Sequence, residues 1–218
     1  MGYRVVIFDF DGTVADTGRG VKNSIKYALN EFEIPVGDEK ALDYFIGPPL
    51  YEGFEHVYGV DSEMAGRLVD TYRKYYAEKG IYELDPYDGI TELMAELSEK
   101  GYTVAVASSK PKEYLTRAMD FIGAGKYCKY IIGPRLDNHN ADKSVLIGNV
   151  LKTLGISKAD YSDVVMIGDR FYDMEGAKKV GISSIAVTYG YGSREELEKA
   201  GADRIVNSAE ELRAVLFE

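Results

Sequence analysis

Short apolar runs recur along the chain, and segments with helical spacing separate most of them. The runs typical of buried strands are residues 4–8, 103–107, 130–132, 164–167, 184–187 and 204–206. Between two of them, Ile90, Leu93 and Leu97 recur at helical spacing. Strands that alternate with helices predict a parallel sheet covered on both faces. We therefore expect an α/β core of three layers.

Residues 15–82 interrupt this alternation. The helical patterns of this segment, with no strand signal between them, are Gly20–Phe32, Asp38–Ile46 and Asp61–Lys79. The turn sequence Pro86–Gly89 then marks the return to the core pattern. We expect a small helical domain of residues 15–82, inserted into a core domain formed by residues 1–14 and 83–218.

Composition limits the classes of partner. A chain of 218 residues can bury one full α/β core and a small accessory unit. Its 26 basic and 36 acidic residues give a net charge of −10, which argues against nucleic-acid polymers and anionic membranes as partners. The one cysteine, Cys128, suits a reducing cytoplasm, and no stretch approaches the roughly 20 apolar residues of a membrane-spanning helix. We expect a cytoplasmic monomer or homodimer.

The first strand ends in two carboxylates, Asp9 and Asp11, followed by Gly12 and Thr13. Side chains at the end of such a strand project into the crevice where open α/β sheets bind ligands. Gly12 allows a sharp turn, and Thr13 offers a hydroxyl. Two neighbouring anions repel each other unless a cation, a proton or a reaction requires both. An ordinary acidic turn is the alternative interpretation.

A second acidic motif follows the apolar run 164–167. Parallel strands of one sheet end at the same edge, so the two motifs converge if their strands are neighbours. The carboxylates that would then meet are Asp9, Asp11, Asp169 and Asp173. Because hard divalent ions prefer oxygen ligands, we infer a Mg²⁺ site.

A third motif follows the strand at 103–107. Ser108, Ser109, Lys110 and Pro111 are typical of the start of a helix, with a serine as the cap and the proline in the first turn. The free backbone N–H groups of such a helix would face an anion at the same sheet edge. A plain capped helix start is the alternative.

In these motifs the chain resembles the haloacid dehalogenase superfamily. The motifs are Asp-x-Asp-Gly-Thr at 9–13, a Ser after a middle strand, a Lys before the last acidic motif, and Gly-Asp-x-x-x-Asp at 168–173. They occur in the family's order, nearly end to end. The resemblance implies a Rossmann-like core with an inserted helical cap.

The resemblance also implies roles for the acidic residues. Asp9 would be the nucleophile that forms an aspartyl-phosphate, and Asp11 would be the acid and base. Mg²⁺ would be held by the carboxylate of Asp9, the backbone carbonyl of Asp11 and the carboxylate of Asp169. Asp173 would either accept from metal-bound water or position a basic side chain.

The phosphate would be held by Ser108 and by a lysine that corresponds best to Lys143. Lys143 precedes Ser144, whereas the commoner family pattern has a proline there. A solvated surface lysine is therefore an alternative, and Lys110 or Arg170 could share its role. The further substrate-binding residues that we expect are Gly12, Thr13, Ser109, Lys110, Gly47 and Pro48.

Other segments resemble one branch of the superfamily, that of phosphoglycolate phosphatases and 5′-nucleotidases. They are Gly47–Leu50, Gly168–Asp173 and Gly190–Leu197. We expect the loop that contains Gly47 and Pro48 to select the leaving group, unless it is only an interhelical connection. The Gly-rich segment Tyr189–Gly192 either borders the site or is an ordinary turn.

The expected function is hydrolysis of small phosphomonoesters by a magnesium-dependent phosphatase. A dehalogenase would not need Asp11, which counts against that class. A phosphomutase of the beta-phosphoglucomutase type shares every core motif and stays open. A non-enzymatic phospho-acceptor module, which would be about half this length, is the third alternative.

Overall fold

The structure is a computed structural model that describes residues 2–47, 49–136 and 142–218. The chain forms two compact units. One comprises Met1–Asp16 and Pro86–Glu218, and the other comprises Thr17–Asp85. The assignment of the second unit as a cap stays a prediction.

Eight strands occur in the described parts of the chain. In chain order, β1 to β8 are Val5–Phe8, Ala15–Asp16, Asp85–Pro86, Thr103–Ala107, Tyr130–Ile132, Val164–Gly168, Ser183–Val187 and Arg204–Val206. Strands β2 and β3 lie where the chain passes between the two units. The other six form one sheet, in the order β5-β4-β1-β6-β7-β8. All of its pairings are parallel, as predicted.

Nine α-helices occur in the same described parts. In chain order, α1 to α9 are Gly18–Glu31, Leu50–Tyr58, Ser62–Glu78, Ile90–Glu99, Lys112–Phe121, Lys143–Leu154, Phe171–Val180, Arg194–Ala200 and Ala209–Leu216. Short 3-10 helices cover Glu39–Phe45, Gly80–Tyr82, Gly125–Tyr127 and Lys158–Asp163. None of the helices in the described residues is both long and apolar enough to cross a membrane.

The centre of the sheet is buried on both faces. Every residue of β1 is buried, which explains its unbroken apolar sequence. On one face, Ile7 and Met166 pack with Ile147 and Val150 of α6. Alternate residues such as Phe8 point to the opposite face and are equally buried. The three-layer α/β core is therefore confirmed.

The second unit contains helices α1, α2 and α3 and the 3-10 helix Glu39–Phe45. The predicted pattern Asp38–Ile46 is thus helical, but it adopts the tighter 3-10 form. Helix α2 is absent from the predicted patterns. Its sequence does repeat apolar residues at helical spacing, at Leu50, Phe54 and Tyr58, but over only nine residues.

Candidate active site

The predicted motifs meet at the carboxyl edge of the sheet. Strand β1 lies between β4 and β6, with Phe8 opposite Val106 on one side and Ile167 on the other. Each of these strands is followed closely by a polar residue, and these residues are Asp9, Ser108 and Asp169. The register therefore brings residues that are distant in sequence to one edge.

The turn after β1 is shaped around Asp169. Gly12 has a φ of +83°, and a Cβ there would overlap with the Asp169 carboxylate. Thr13 is fully buried and its hydroxyl donates to Asp169 Oδ1 at 3.0 Å. The Thr13 hydroxyl therefore orients Asp169, and the predicted contacts of Gly12 and Thr13 with substrate stay predictions.

The spacing of the last acidic motif has a steric basis. Gly168 ends β6, and a Cβ at this position would overlap with the carboxylate of Asp173. Asp173 lies in the first turn of α7, where its Oδ2 accepts from the Arg170 backbone N–H at 3.1 Å. A glycine at 168 thus lets the helix bring Asp173 next to Asp169.

Lys143 contacts both acidic motifs. Its side chain is buried, and Nζ lies 2.8 Å from Asp9 Oδ1 and 2.8 Å from Asp173 Oδ1. Nζ also donates to the Ala107 backbone carbonyl at 3.1 Å. The alternative of a solvated surface lysine is therefore wrong. Two roles were expected for Asp173, and its contact with Lys143 corresponds to the positioning of a basic side chain.

Local structure explains how Lys143 reaches this position. Asp142 caps α6 by accepting from the Ser144 backbone N–H at 2.8 Å, which fixes Lys143 as the first helical residue. A Cβ at Gly176 of α7 would crowd the stem of Lys143. The glycine therefore leaves room for the lysine between the two helices.

Neither Ser108 nor Ser109 caps the helix that follows β4, so the expectation of a serine cap is wrong. Helix α5 begins at Lys112 and Pro111 occupies the cap position, with no side-chain cap hydrogen bond. A residue before proline is held out of the helical region, so the helix cannot begin at Lys110. Ser108 is fully buried, and its Oγ accepts from the Lys110 backbone N–H at 3.3 Å.

Lys110 pairs with the second carboxylate of the first motif. Its Nζ lies 2.8 Å from Asp11 Oδ1, and both side chains are largely buried. Ser109 is exposed at the same turn. The site therefore holds two ammonium groups, one beside Asp9 and one beside Asp11.

Burial and crowding perturb the charges in the site. Burial raises the pKa of Asp9 to about 6, against the opposing pull of the Lys143 ammonium. Burial and the neighbouring carboxylates of Asp173 and Asp9 raise the pKa of Asp169 well above its usual range. Burial lowers the pKa of Lys143, but the same two carboxylates outweigh it and raise that pKa above the ordinary lysine value.

These residues fit a divalent cation. Asp9, Asp169 and Asp173 each offer one oxygen, and these oxygens lie within 4.8 Å of one another. Within the described parts of the chain, Asp9 Oδ1 and Asp173 Oδ1 are buried and have no hydrogen bond of good geometry, although Lys143 is at ion-pair distance. If all are ionised, four carboxylates face two ammonium groups, and one divalent ion would balance the excess.

The substrate contacts expected of Gly47 and Pro48 stay predictions. Gly47 belongs to the second unit, and Pro48 lies outside the described residues. By contrast, the Gly-rich segment Tyr189–Gly192 does border the site, because the Tyr191 backbone N–H donates to Asp169 Oδ2 at 2.8 Å. The two glycines of this segment indicated in the sequence that it could border the site. They did not indicate that Tyr191 would contact Asp169.

Comparison with known proteins assigns the chain to a family. The family model for haloacid dehalogenase-like hydrolases matches residues 6–187. The chain belongs to this family, and within it the chain is a phosphatase, a class of enzyme that acts on phosphoric monoesters.

The similar proteins carry the names of phosphatases and of one kinase. The chain is 36% identical to a 5′-nucleotidase of Pseudomonas aeruginosa over 89% of this chain and 87% of that protein. It is 31% identical to the tyrosine-protein kinase PtkA of Mycobacterium tuberculosis, over 98% of this chain and 72% of that one. A crystal structure of a predicted phosphatase from Clostridium acetobutylicum is 40% identical, with a TM-score of 0.91, and the match covers 100% and 99% of the two chains.

Proposed function

We propose that this phosphatase is magnesium-dependent and hydrolyses small phosphomonoesters through an aspartyl-phosphate on Asp9. The observation that carries the proposal is the buried cluster of Asp9, Asp169 and Asp173 around Lys143, with Asp11 paired to Lys110 beside it. Phosphoglycolate and 5′-nucleotides are the proposed substrate types. The similarity to a 5′-nucleotidase supports the second type.

In the first step, an Asp9 carboxylate oxygen attacks phosphorus, and the bond from phosphorus to the ester oxygen breaks. Asp11 gives its proton to the departing oxygen, so that an alcohol leaves. In the second step, Asp11 takes a proton from water as that water attacks phosphorus. The bond between phosphorus and the Asp9 oxygen then breaks. Inorganic phosphate is released and the Asp9 carboxylate is regenerated.

Mg²⁺ and the Lys143 ammonium are the positive charges proposed to bind and stabilise the phosphoryl group. Asp9 and Asp169 would hold Mg²⁺, with the Asp11 backbone carbonyl as a further oxygen ligand, and Asp173, which also positions Lys143, would be the third carboxylate beside the ion. Bound Mg²⁺ supplies electrostatic stabilisation of the negative charge on the transferring phosphoryl group. Lys143, which is anchored between two carboxylates, would bind a phosphate oxygen at a fixed position.

The other phosphate contacts are proposed for Ser108, Ser109 and Lys110. Ser108 follows the strand next to β1, so its hydroxyl lies at the same edge as Asp9. Lys110 Nζ is 2.8 Å from Asp11 Oδ1, and an arriving phosphate would compete with Asp11 for this ammonium.

A second candidate is transfer of the phosphoryl group to a hydroxyl acceptor instead of water. The similarity to a protein named a tyrosine-protein kinase favours it, and a phosphomutase would also use such an acceptor. Inorganic phosphate released per substrate consumed distinguishes the two. A ratio near one supports hydrolysis, whereas a ratio well below one with a phosphorylated acceptor supports transfer.

The decisive variant is Asp9→Asn, which keeps the side chain's shape but removes its charge and nucleophilicity. We expect kcat to fall by about a thousandfold or more, since covalent catalysis is lost. The assay is phosphate release from 5′-nucleotides, phosphoglycolate and an aryl phosphate, with and without a chelator.

The matched control is Asp88→Asn, an exposed residue of the same unit, which should keep wild-type kcat. Retention of more than roughly a tenth of wild-type kcat by Asp9→Asn would exclude the covalent mechanism. Full activity in excess chelator would exclude the metal.

A further inference from the structure

The segment Tyr189–Gly192 follows β7, the strand next to β6, and approaches the site from that side. Asp169, which is completely buried, accepts from the Thr13 hydroxyl at Oδ1 and from the Tyr191 backbone N–H at Oδ2, at 3.0 and 2.8 Å. Both oxygens of this carboxylate are therefore oriented by donors from outside β6. The orientation of Asp169 depends on where Tyr191 lies.

Two glycines permit this close approach. A Cβ at Gly190 would overlap with the backbone oxygen of Gly12, and one at Gly192 would overlap with the backbone oxygen of Asp169. Because both overlaps involve main-chain atoms, a side chain at either position would push the segment away from Asp169. The glycines thus serve the Tyr191 contact.

The tyrosine hydroxyls fasten the same segment to the chain around the first motif. Tyr191 Oη donates to Asp16 Oδ1 at 2.6 Å, and Tyr189 Oη donates to the Thr13 backbone carbonyl at 3.0 Å. Tyr87 hydrogen-bonds to the Tyr191 side chain, and its ring lies 4.7 Å from that of Tyr189. Three tyrosines and Asp16 therefore hold the segment in place.

We propose that Tyr191 is a positioning residue for the metal ligand Asp169. The bond from its hydroxyl to Asp16 fixes the backbone N–H that orients the Asp169 carboxylate. This inference rests on the proposed function, in which Asp169 binds Mg²⁺. It adds a residue 22 positions beyond Asp169, and its effect is on metal affinity.

The test is Mn²⁺ binding to the full chain, measured by electron paramagnetic resonance of the free ion in the absence of substrate. Outer-shell partners of metal ligands commonly change affinity by about 10–100-fold, and Tyr191→Phe removes a bond one step further out. We expect about a three- to tenfold rise in Kd for Tyr191→Phe. The half-saturating Mg²⁺ concentration for activity should rise by a similar factor, while kcat at saturating Mg²⁺ stays within about twofold.

Substitutions of Asp16 test whether Tyr191 acts through its hydrogen bond to Asp16. Asp16→Ala removes the acceptor and should raise Kd as Tyr191→Phe does, whereas Asp16→Asn keeps an oxygen acceptor and should bind Mn²⁺ as the wild type does. If the two residues act through one bond, the Tyr191→Phe/Asp16→Ala double variant should bind no more weakly than either single variant. The control Tyr102→Phe removes another partly buried hydroxyl, which donates to Leu216 O at 3.4 Å, and should leave Kd unchanged.

The outcomes separate this inference from the function on which it rests. If the wild type binds no Mn²⁺, the metal part of the proposed function fails and the inference fails with it. If the wild type binds and Asp169→Ala does not, but Tyr191→Phe binds equally well, only the inference is overturned. A lower melting temperature for Tyr191→Phe with an unchanged Kd would make Tyr191 merely structural and would also overturn it.

Discussion

Asp9, the proposed nucleophile, is subject to opposing electrostatic influences. Burial and the carboxylate of Asp173 favour the neutral form of Asp9, whereas Lys143 favours the charged form, and the resulting pKa is about 6. Only the ionised carboxylate can attack phosphorus or bind a cation. The metal-free site therefore holds a proton on Asp9 under mildly acidic conditions, and a cation must displace it.

We predict that proton competition weakens metal binding in acid. The pKa of Asp9 in the folded, metal-free protein lies above its ordinary value of 3.8, so the proton is retained until the pH rises through about 6. The Kd for Mg²⁺ should therefore increase as the pH falls below about 6, approaching tenfold per pH unit for one released proton.

Isothermal titration with Mg²⁺ at constant ionic strength, from about pH 7.5 down to about pH 5, measures this dependence. Repeating the titration in buffers of different ionisation enthalpy counts the released protons. A Kd that does not change over this range would contradict the assignment of Asp9 as a ligand with a raised pKa.

Among the secondary-structure elements, glycines leave the space that the site side chains occupy. Gly168 makes room for Asp173, and Gly176 makes room for Lys143. At Gly192 the obstacle to a side chain is the backbone of Asp169 itself. Backbone atoms cannot rotate away as side chains can, so this glycine should tolerate substitution least.

We predict opposite effects of two glycine substitutions. Gly192→Ala would overlap with main-chain atoms and should lower the free energy of unfolding by about 1–3 kcal/mol, with weaker Mg²⁺ binding. Gly148→Ala lies in α6 with open space around it and should raise the free energy of unfolding by about 0.5–1 kcal/mol.

Urea denaturation of both variants in the presence of a chelator isolates the steric effect. A Gly192→Ala variant as stable as the wild type would show that the segment can move away from Asp169 at little cost. Its metal affinity would then report whether that movement disturbs the ligand.

At the scale of the whole molecule, the core unit contains every residue proposed for the chemistry, and the second unit contains the proposed specificity loop. We predict that changing Pro48 and Pro49 together to Ala redistributes kcat/KM among phosphate esters by about 1–3 kcal/mol. The loss of two fixed φ angles would loosen the loop. Activity on a small aryl phosphate should change much less.

Pro35→Ala is the matched control, because Pro35 is an exposed loop proline of the same unit. It should leave the ratios of kcat/KM unchanged. If the paired substitution scales all substrates by one factor, the loop is structural and another segment selects the leaving group.

Apolar runs and acidic motifs were enough to predict the core architecture and the carboxylates at the sheet edge. Each long buried strand is an apolar run followed by a polar residue, as at Val5–Phe8 before Asp9, because a parallel strand is covered on both faces and its end reaches the polar edge of the sheet. Patterns with mixed polarity were less informative. The 3-10 form of Glu39–Phe45 depends on packing that residue spacing does not encode, whereas α2 shows helical spacing at Leu50, Phe54 and Tyr58 but is only nine residues long.

Which site residues contact one another depends on the three-dimensional fold. The Thr13 hydroxyl reaches Asp169 across 156 positions, and the pairs of Lys110 with Asp11 and of Lys143 with Asp9 also join distant motifs. A sequence motif predicts which side chains lie at the sheet edge. The strand order and the space left by glycines determine which of these side chains contact one another. The contact between Tyr191 and Asp169 could not be predicted from the residue type, because it is made by the backbone N–H. Any residue except proline carries that donor.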